Sequence, residues 1–116
     1  MSKKIIFFGT PPFAESCLEK VVEEKFNVVA VVTAPDRPAG RGRKIKSSAV
    51  KHFAEAKNIP VLQPANLKAP EFLKQLNELE PDLMVIVAFR MLPREVWSIP
   101  PLGTFNLHAS LLPNYR

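Results

Sequence analysis

The chain reads as an open α/β fold, a mostly parallel sheet with helices on both faces. Three features lead there. The opening alternates an apolar run at 5–8, an amphipathic stretch from 11 to 24 and a β-branched run at 28–32, the strand–helix–strand unit of a parallel sheet. The most hydrophobic segment, 83–89, has the continuous apolar character of a strand buried on both faces. The whole is 116 residues, 47% of them hydrophobic, which suits one domain with a real core and is short for two.

Taken in order, the run 5–8 ends at Gly9, after which Thr10 fits an N-cap and Pro11 the first helical position, where a missing N–H costs nothing. Phe13, Ala14, Cys17, Leu18, Val21 and Val22 follow at three- and four-residue spacing, with Glu15, Glu19, Lys20, Glu23 and Glu24 on the other side. The strand 28–32 then returns to the sheet. Residues 33–47 carry no apolar periodicity and are read as a long loop. Ser47 or Ser48 caps a short helix with Val50, Phe53 and Ala54 inward, which stops at Asn58, and His52 among polar neighbours is read as exposed and without a role. Val61-Leu62 is a minimal third strand. Pro70 opens a helix whose buried stripe is Phe72, Leu73, Leu76 and Leu79, and Pro81 ends it. The run 83–89 is expected as the central strand, 95–99 as one helical turn with Trp97 as packing, and Pro100, Pro101 and Gly103 as the turn into a last strand.

Composition narrows the function. No run is long enough to span a bilayer, and the four-residue apolar run after Met1-Ser2-Lys3-Lys4 is too short for a signal-peptide core, so a cytoplasmic protein is expected. The single cysteine, Cys17, excludes an internal disulfide and a multi-cysteine metal site, and reads as a small apolar residue of the helix. The formal charge of +5 is concentrated. Arg37, Arg41, Arg43, Lys44 and Lys46 stand against one acid, Asp36, a local balance of +4. Such a loop, with Gly40 and Gly42 between its arginines, suits a phosphate-bearing polyanion.

The turn Gly9-Thr10-Pro11-Pro12 follows a first strand and opens a helix, yet it is no dinucleotide loop. A second glycine is needed two residues after the first, where backbone meets pyrophosphate, and Pro11 stands there without an N–H. The fold is Rossmann-like, but neither nicotinamide nor flavin is expected.

The chemistry is placed at the last strand, in Asn106-Leu107-His108-Ala109-Ser110-Leu111-Leu112-Pro113. Side chains at i and i+2 of a strand share a face, about 7 Å apart, so Asn106 and His108 project together. An amide can donate to a developing oxyanion, and an imidazole can donate to the same oxygen or move a proton. In open α/β sheets ligands gather beyond the carboxyl ends of strands. That locates Phe89, Arg90 and Leu92, at the end of the apolar run, beside the pair, and Arg90 there needs either solvent or an anion.

These motifs resemble the N-terminal part of the folate-dependent formyltransferases, from the first strand to the last residue. The carriers are Phe8-Gly9-Thr10-Pro11-Pro12-Phe13-Ala14, the basic stretch from Pro35-Asp36-Arg37-Pro38 to Lys44, Pro60-Val61-Leu62-Gln63-Pro64 and the Asn106–Pro113 motif. The last is shared across the family, including members with glycinamide-ribonucleotide and sugar-nucleotide acceptors, whereas the basic loop is similar to that of the tRNA-acting branch. The resemblance implies a cytoplasmic enzyme of translation initiation. It would transfer a formyl group from 10-formyltetrahydrofolate to the amino group of initiator methionyl-tRNA, with no metal, NAD or membrane involved and a monomeric full-length protein. Asn106 and His108 would stabilise the tetrahedral oxyanion, and His108 would carry the proton. Phe89, Arg90, Leu92, Ser110, Leu111, Leu112 and Pro113 would hold the folate, and Arg37, Arg41, Arg43, Lys44 and Lys46 the tRNA.

The resemblance further implies that residues 1–116 are the N-terminal portion of the catalytic domain, without its remainder or the C-terminal β-barrel domain. The family's catalytic aspartate lies downstream of the motif, so the chain is expected to be inactive by itself. At Ala88-Phe89-Arg90-Met91-Leu92-Pro93 it departs from the family, which more often has a tyrosine-glycine pair and one more residue, so the position of the folate pocket carries over rather than its individual contacts. Two alternatives stand beside this reading, a formyltransferase acting on a small nucleotide or sugar and a non-catalytic RNA-binding α/β module.

Overall fold

The computed structural model describes residues 3–9, 12–24, 26–35, 37–39, 44–46, 49–87, 89 and 91–107, with backbone alone at 12, 13, 37–39, 44–46 and 107. Five parallel strands form the main sheet, in the order β5-β2-β1-β6-β7. These are β1 (Lys4–Gly9), β2 (Asn27–Val32), β5 (Val61–Leu62), β6 (Leu83–Val87) and β7 (Thr104–Leu107). Between β2 and the helix that follows, β3 (Arg37–Ala39) and β4 (Lys44–Lys46) pair antiparallel as a separate ribbon. The helices are α1 (Pro12–Glu23), α2 (Ala49–Ala56), α3 (Pro70–Leu79) and α4 (Arg94–Trp97). Among the described residues no helix is long and apolar enough to cross a membrane.

Alternation along the strands divides the core in two. Phe7 of β1 and Val87 of β6 face α1 and α2, where they meet Ala14, Cys17, Leu18, Val50 and Ala54. Ile6 and Phe8 of β1 with Met84 and Ile86 of β6 face the other way, toward Phe72 and Leu76 of α3 and Val96 of α4. In β2 the register against β1 slips between Ile5 and Ile6, so that Ile5 pairs with Val28 and Ile6 with Ala30. The extra residue puts Val29 and Ala30 on the same side and returns Val31 to the α1–α2 side. Helices thus cover both faces, as the sequence predicts.

Local rules set the ends. Gly9 is required where β1 gives way to α1. A Cβ there would lie 2.9 Å from Ala14 Cβ, 3.0 Å from the Phe7 ring and 3.3 Å from the Val87 carbonyl oxygen. The predicted stop at Asn58 is a left-handed residue, φ 61°, and Glu80 closes α3 in the same way at φ 50°. At the opposite edge of the sheet, the Asp82 carboxylate accepts from Lys4 N–H at 2.7 Å, and Asp82 N–H returns a bond to the Lys4 carbonyl at 2.8 Å. This clamp fixes the amino ends of β1 and β6 in step.

Several expectations need correction. The stretch 33–47 is a loop only in part, because β3 and β4 pair inside it, Pro38 opposite Ile45. Pairing satisfies backbone groups that a bare loop would leave to water, and a two-stranded ribbon tolerates Pro38 because only one side of each strand is paired. The strand at 83–89 stops at Val87. Among the described residues Gly9 is its last partner on β1, and Phe89 is outside the strand. The middle strand is β1, with β6 beside it. The described part of the first helix is Pro12–Glu23, and the expected N-cap Thr10 and first helical residue Pro11 lie outside the described residues. The turn at 95–99 is α4, Arg94–Trp97. Trp97 is not core packing, being 47% exposed.

Candidate active site

The parallel strands deliver their carboxyl ends to one edge, where Phe8 stands level with Val32, Gly9 with Val87 and Ile86 with Asn106. From β1 the chain leaves through α1 toward β2, and from β6 it leaves through α4 toward β7 on the opposite side. Because α1 and α4 pack on opposite faces, the two connections part between β1 and β6. A crevice opens at such a switch point without any side chain having to create it.

Beside it, on the α3–α4 face, lies a cleft of about 880 Å³, within the range of small-molecule sites. Ile86, Leu92 and Trp97 give it apolar walls, and Ser98, Thr104 and Asn106 give it polar groups. Its segments are pinned. The Phe89 ring meets Phe8 edge-on, with centroids 5.7 Å apart and planes at 64°, and Leu92 is buried in the core. Thr104 Oγ1 donates to the Trp97 carbonyl at 2.8 Å, tying the start of β7 to the end of α4. Gly103, at φ 107°, makes the turn that only glycine adopts freely. Its N–H donates to the Pro100 carbonyl and its own carbonyl accepts from Met84 N–H, both at 3.1 Å.

The structure therefore brings together three of the predicted site residues, Phe89, Leu92 and Asn106, around one cleft. Asn106 is exposed at its rim. Standing two residues from Thr104 on the same strand, it shares that residue's face. A neutral amide donor at the mouth of an apolar cleft can bind a carbonyl oxygen as it gains charge. His108, Arg90, Ser110, Leu111, Leu112 and Pro113 lie outside the described residues, as do Arg41 and Arg43. Among the described residues no three His, Cys, Asp or Glu side chains come together.

Of the basic set, Arg37 is on β3 and Lys44 and Lys46 are on β4, with Arg37 opposite Lys46 and Ala39 opposite Lys44. Positions 37, 44 and 46 thus share one face of the ribbon and 38 and 45 the other. The ribbon follows β2 and so departs from the same carboxyl edge as the cleft.

Trp97, Ser98, Thr104 and the 94% exposed Met91 also line the cleft and were not anticipated. No sequence signal separated Trp97 from a packing residue, because its exposure follows from the shortness of α4. Far from the cleft, burial raises the Cys17 thiol pKa above its ordinary value, which agrees with an inert packing residue.

A doubly wound parallel α/β domain with an apolar cleft and an amide donor at its carboxyl edge is the architecture of a ligand-binding enzyme domain. The chain belongs to the formyl transferase family, whose N-terminal model matches residues 3–116. It is 58% identical over 113 residues to the methionyl-tRNA formyltransferase of Flavobacterium johnsoniae, which covers 97% of this chain and 36% of that protein. It is 56% identical to the enzyme of the same name from Bacteroides thetaiotaomicron, over 97% of this chain and 35% of the relative, and 56% identical to that of Flavobacterium psychrophilum, over 97% and 36%. The chain spans about a third of the length of these curated relatives.

Proposed function

We propose that the chain is the N-terminal portion, residues 1–116, of the catalytic domain of a cytoplasmic, monomeric methionyl-tRNA formyltransferase. The observation that carries this reading is its 58% identity, over nearly the whole chain, to a relative of that name. The cleft supports it, because apolar walls with a few polar groups suit a heteroaromatic ring system. Phe89, Arg90, Leu92, Ser110, Leu111, Leu112 and Pro113 are the residues proposed to hold the folate, and Trp97 adds a ring face at the cleft wall. When bound there, 10-formyltetrahydrofolate would supply an activated formyl group.

The remaining steps belong to the chain's own groups. Asn106 donates its amide N–H to the carbonyl oxygen at the rim as negative charge develops, a term worth about 10²–10³ in rate where one such donor is removed elsewhere. His108, two residues further along the sequence, donates to the same oxygen and moves the proton. The cationic ribbon, with positions 37, 44 and 46 on one face, together with Arg41 and Arg43 of the same basic sequence stretch, binds the phosphates of initiator methionyl-tRNA. Residues 1–116 by themselves are proposed to be inactive.

The test is formylation of charged initiator tRNA by the full-length protein with 10-formyltetrahydrofolate as donor. The Arg41→Ala, Arg43→Ala double variant should raise KM for tRNA at least tenfold at low salt, by a factor that shrinks as salt rises, with donor KM unmoved. Wild-type behaviour of that variant would instead favour a small nucleotide or sugar acceptor.

A further inference from the structure

We infer that Gln63 is a positioning residue that fixes the direction in which the basic ribbon leaves the sheet. The inference rests on the tRNA-binding role proposed for that ribbon. A pair of three-residue strands has little stability of its own, so its orientation must be set where it is rooted. Its first root is the short segment between Val32 and Arg37.

The ladder between β2 and β5 runs along this root and then loses a donor for a covalent reason. Val31 N–H donates to the Pro60 carbonyl at 2.9 Å and Thr33 N–H to the Leu62 carbonyl at 3.0 Å. The next rung would need the N–H of residue 35, and Pro35 has none. Gln63 stands at this point. Its side-chain Nε2 donates to the Ala34 carbonyl at 3.0 Å, across 29 residues of sequence. A side-chain bond thus adds to the attachment beyond the Thr33–Leu62 rung, three residues before Arg37. Pro64 holds the preceding Gln63 to extended backbone, and the bond is half-buried, which protects it from exchange with water. No other role in the site was found for the Pro60-Val61-Leu62-Gln63-Pro64 motif, and this gives it one.

The experiment uses the full-length protein and Gln63→Met, which keeps length and removes the donor. One net hydrogen bond corresponds to roughly a fivefold change in an equilibrium. Amide hydrogen exchange across 37–46 should therefore rise about fivefold, while exchange across 70–79 and 83–87 stays at the wild-type rate and reports an intact fold. KM for methionyl-tRNA should rise by a similar factor, with kcat and donor KM unmoved. Unchanged exchange across 37–46 would overturn the positioning role. Raised exchange with tRNA KM unmoved, in a protein where Arg41→Ala, Arg43→Ala does raise it, would overturn the link to the acceptor. If that double variant is silent, the tRNA reading of the ribbon fails, and the exchange result still decides whether Gln63 holds it.

Discussion

The two faces of the sheet carry the same kind of strand residues and end in different states. On one, α1 and α2 close over Phe7, Val31 and Val87, and Cys17 is buried deeply enough that its thiol resists ionisation. On the other, α3 packs on the sheet while the four-residue α4 covers little, with Trp97 half-exposed and Met91 in solvent around a cleft. The difference is one of coverage. A closed face contributes stability through buried area, and an open one gives up part of that contribution to keep a surface available for a ligand.

That contrast can be broken at either face. Leu18→Ala removes a fully buried side chain from the closed face and should destabilise the protein by about 2–5 kcal/mol, read by chemical denaturation, without a specific effect on donor KM. Trp97→Ala on the open face should do the reverse. Its stability cost should stay near 1 kcal/mol or below because the ring is half in solvent, while donor KM rises about tenfold, read by steady-state kinetics. The smallest effect concerns pH. Because the Cys17 thiol pKa is raised in the folded state by burial, the unfolded chain gives up its proton first as pH rises. Stability should therefore decline slightly through the alkaline range above the ordinary thiol value, and Cys17→Ala should abolish that component of the pH profile.

What could be read from the letters follows the length of the signal. β1, α1, β2 and α3 have apolar runs or periodic stripes that repeat several times, and each was found within a residue or two of its observed bounds. β3 and β4, at three residues each, are shorter than any alternation that would reveal them. The overextension of β6 to Phe89 has another origin. Hydropathy stays high past Val87, but strand character is a property of the pair, and Phe89 instead turns its ring edge-on to Phe8. At the site, Asn106 was legible because an i, i+2 motif survives translation into a strand face. Trp97 was not, since whether a lone aromatic residue packs or lines a cleft depends on what covers it, and four residues of helix cover little.

The most direct measurement is the single-turnover rate of formyl transfer by full-length Asn106→Ala at saturating donor and tRNA, taken together with its thermal midpoint. A fall of about 10²–10³ in rate at an unchanged midpoint is the predicted result, since Asn106 is exposed at the cleft rim and outside both cores. A wild-type rate, or a loss that tracks unfolding, would contradict the assignment of the open face as the site of chemistry.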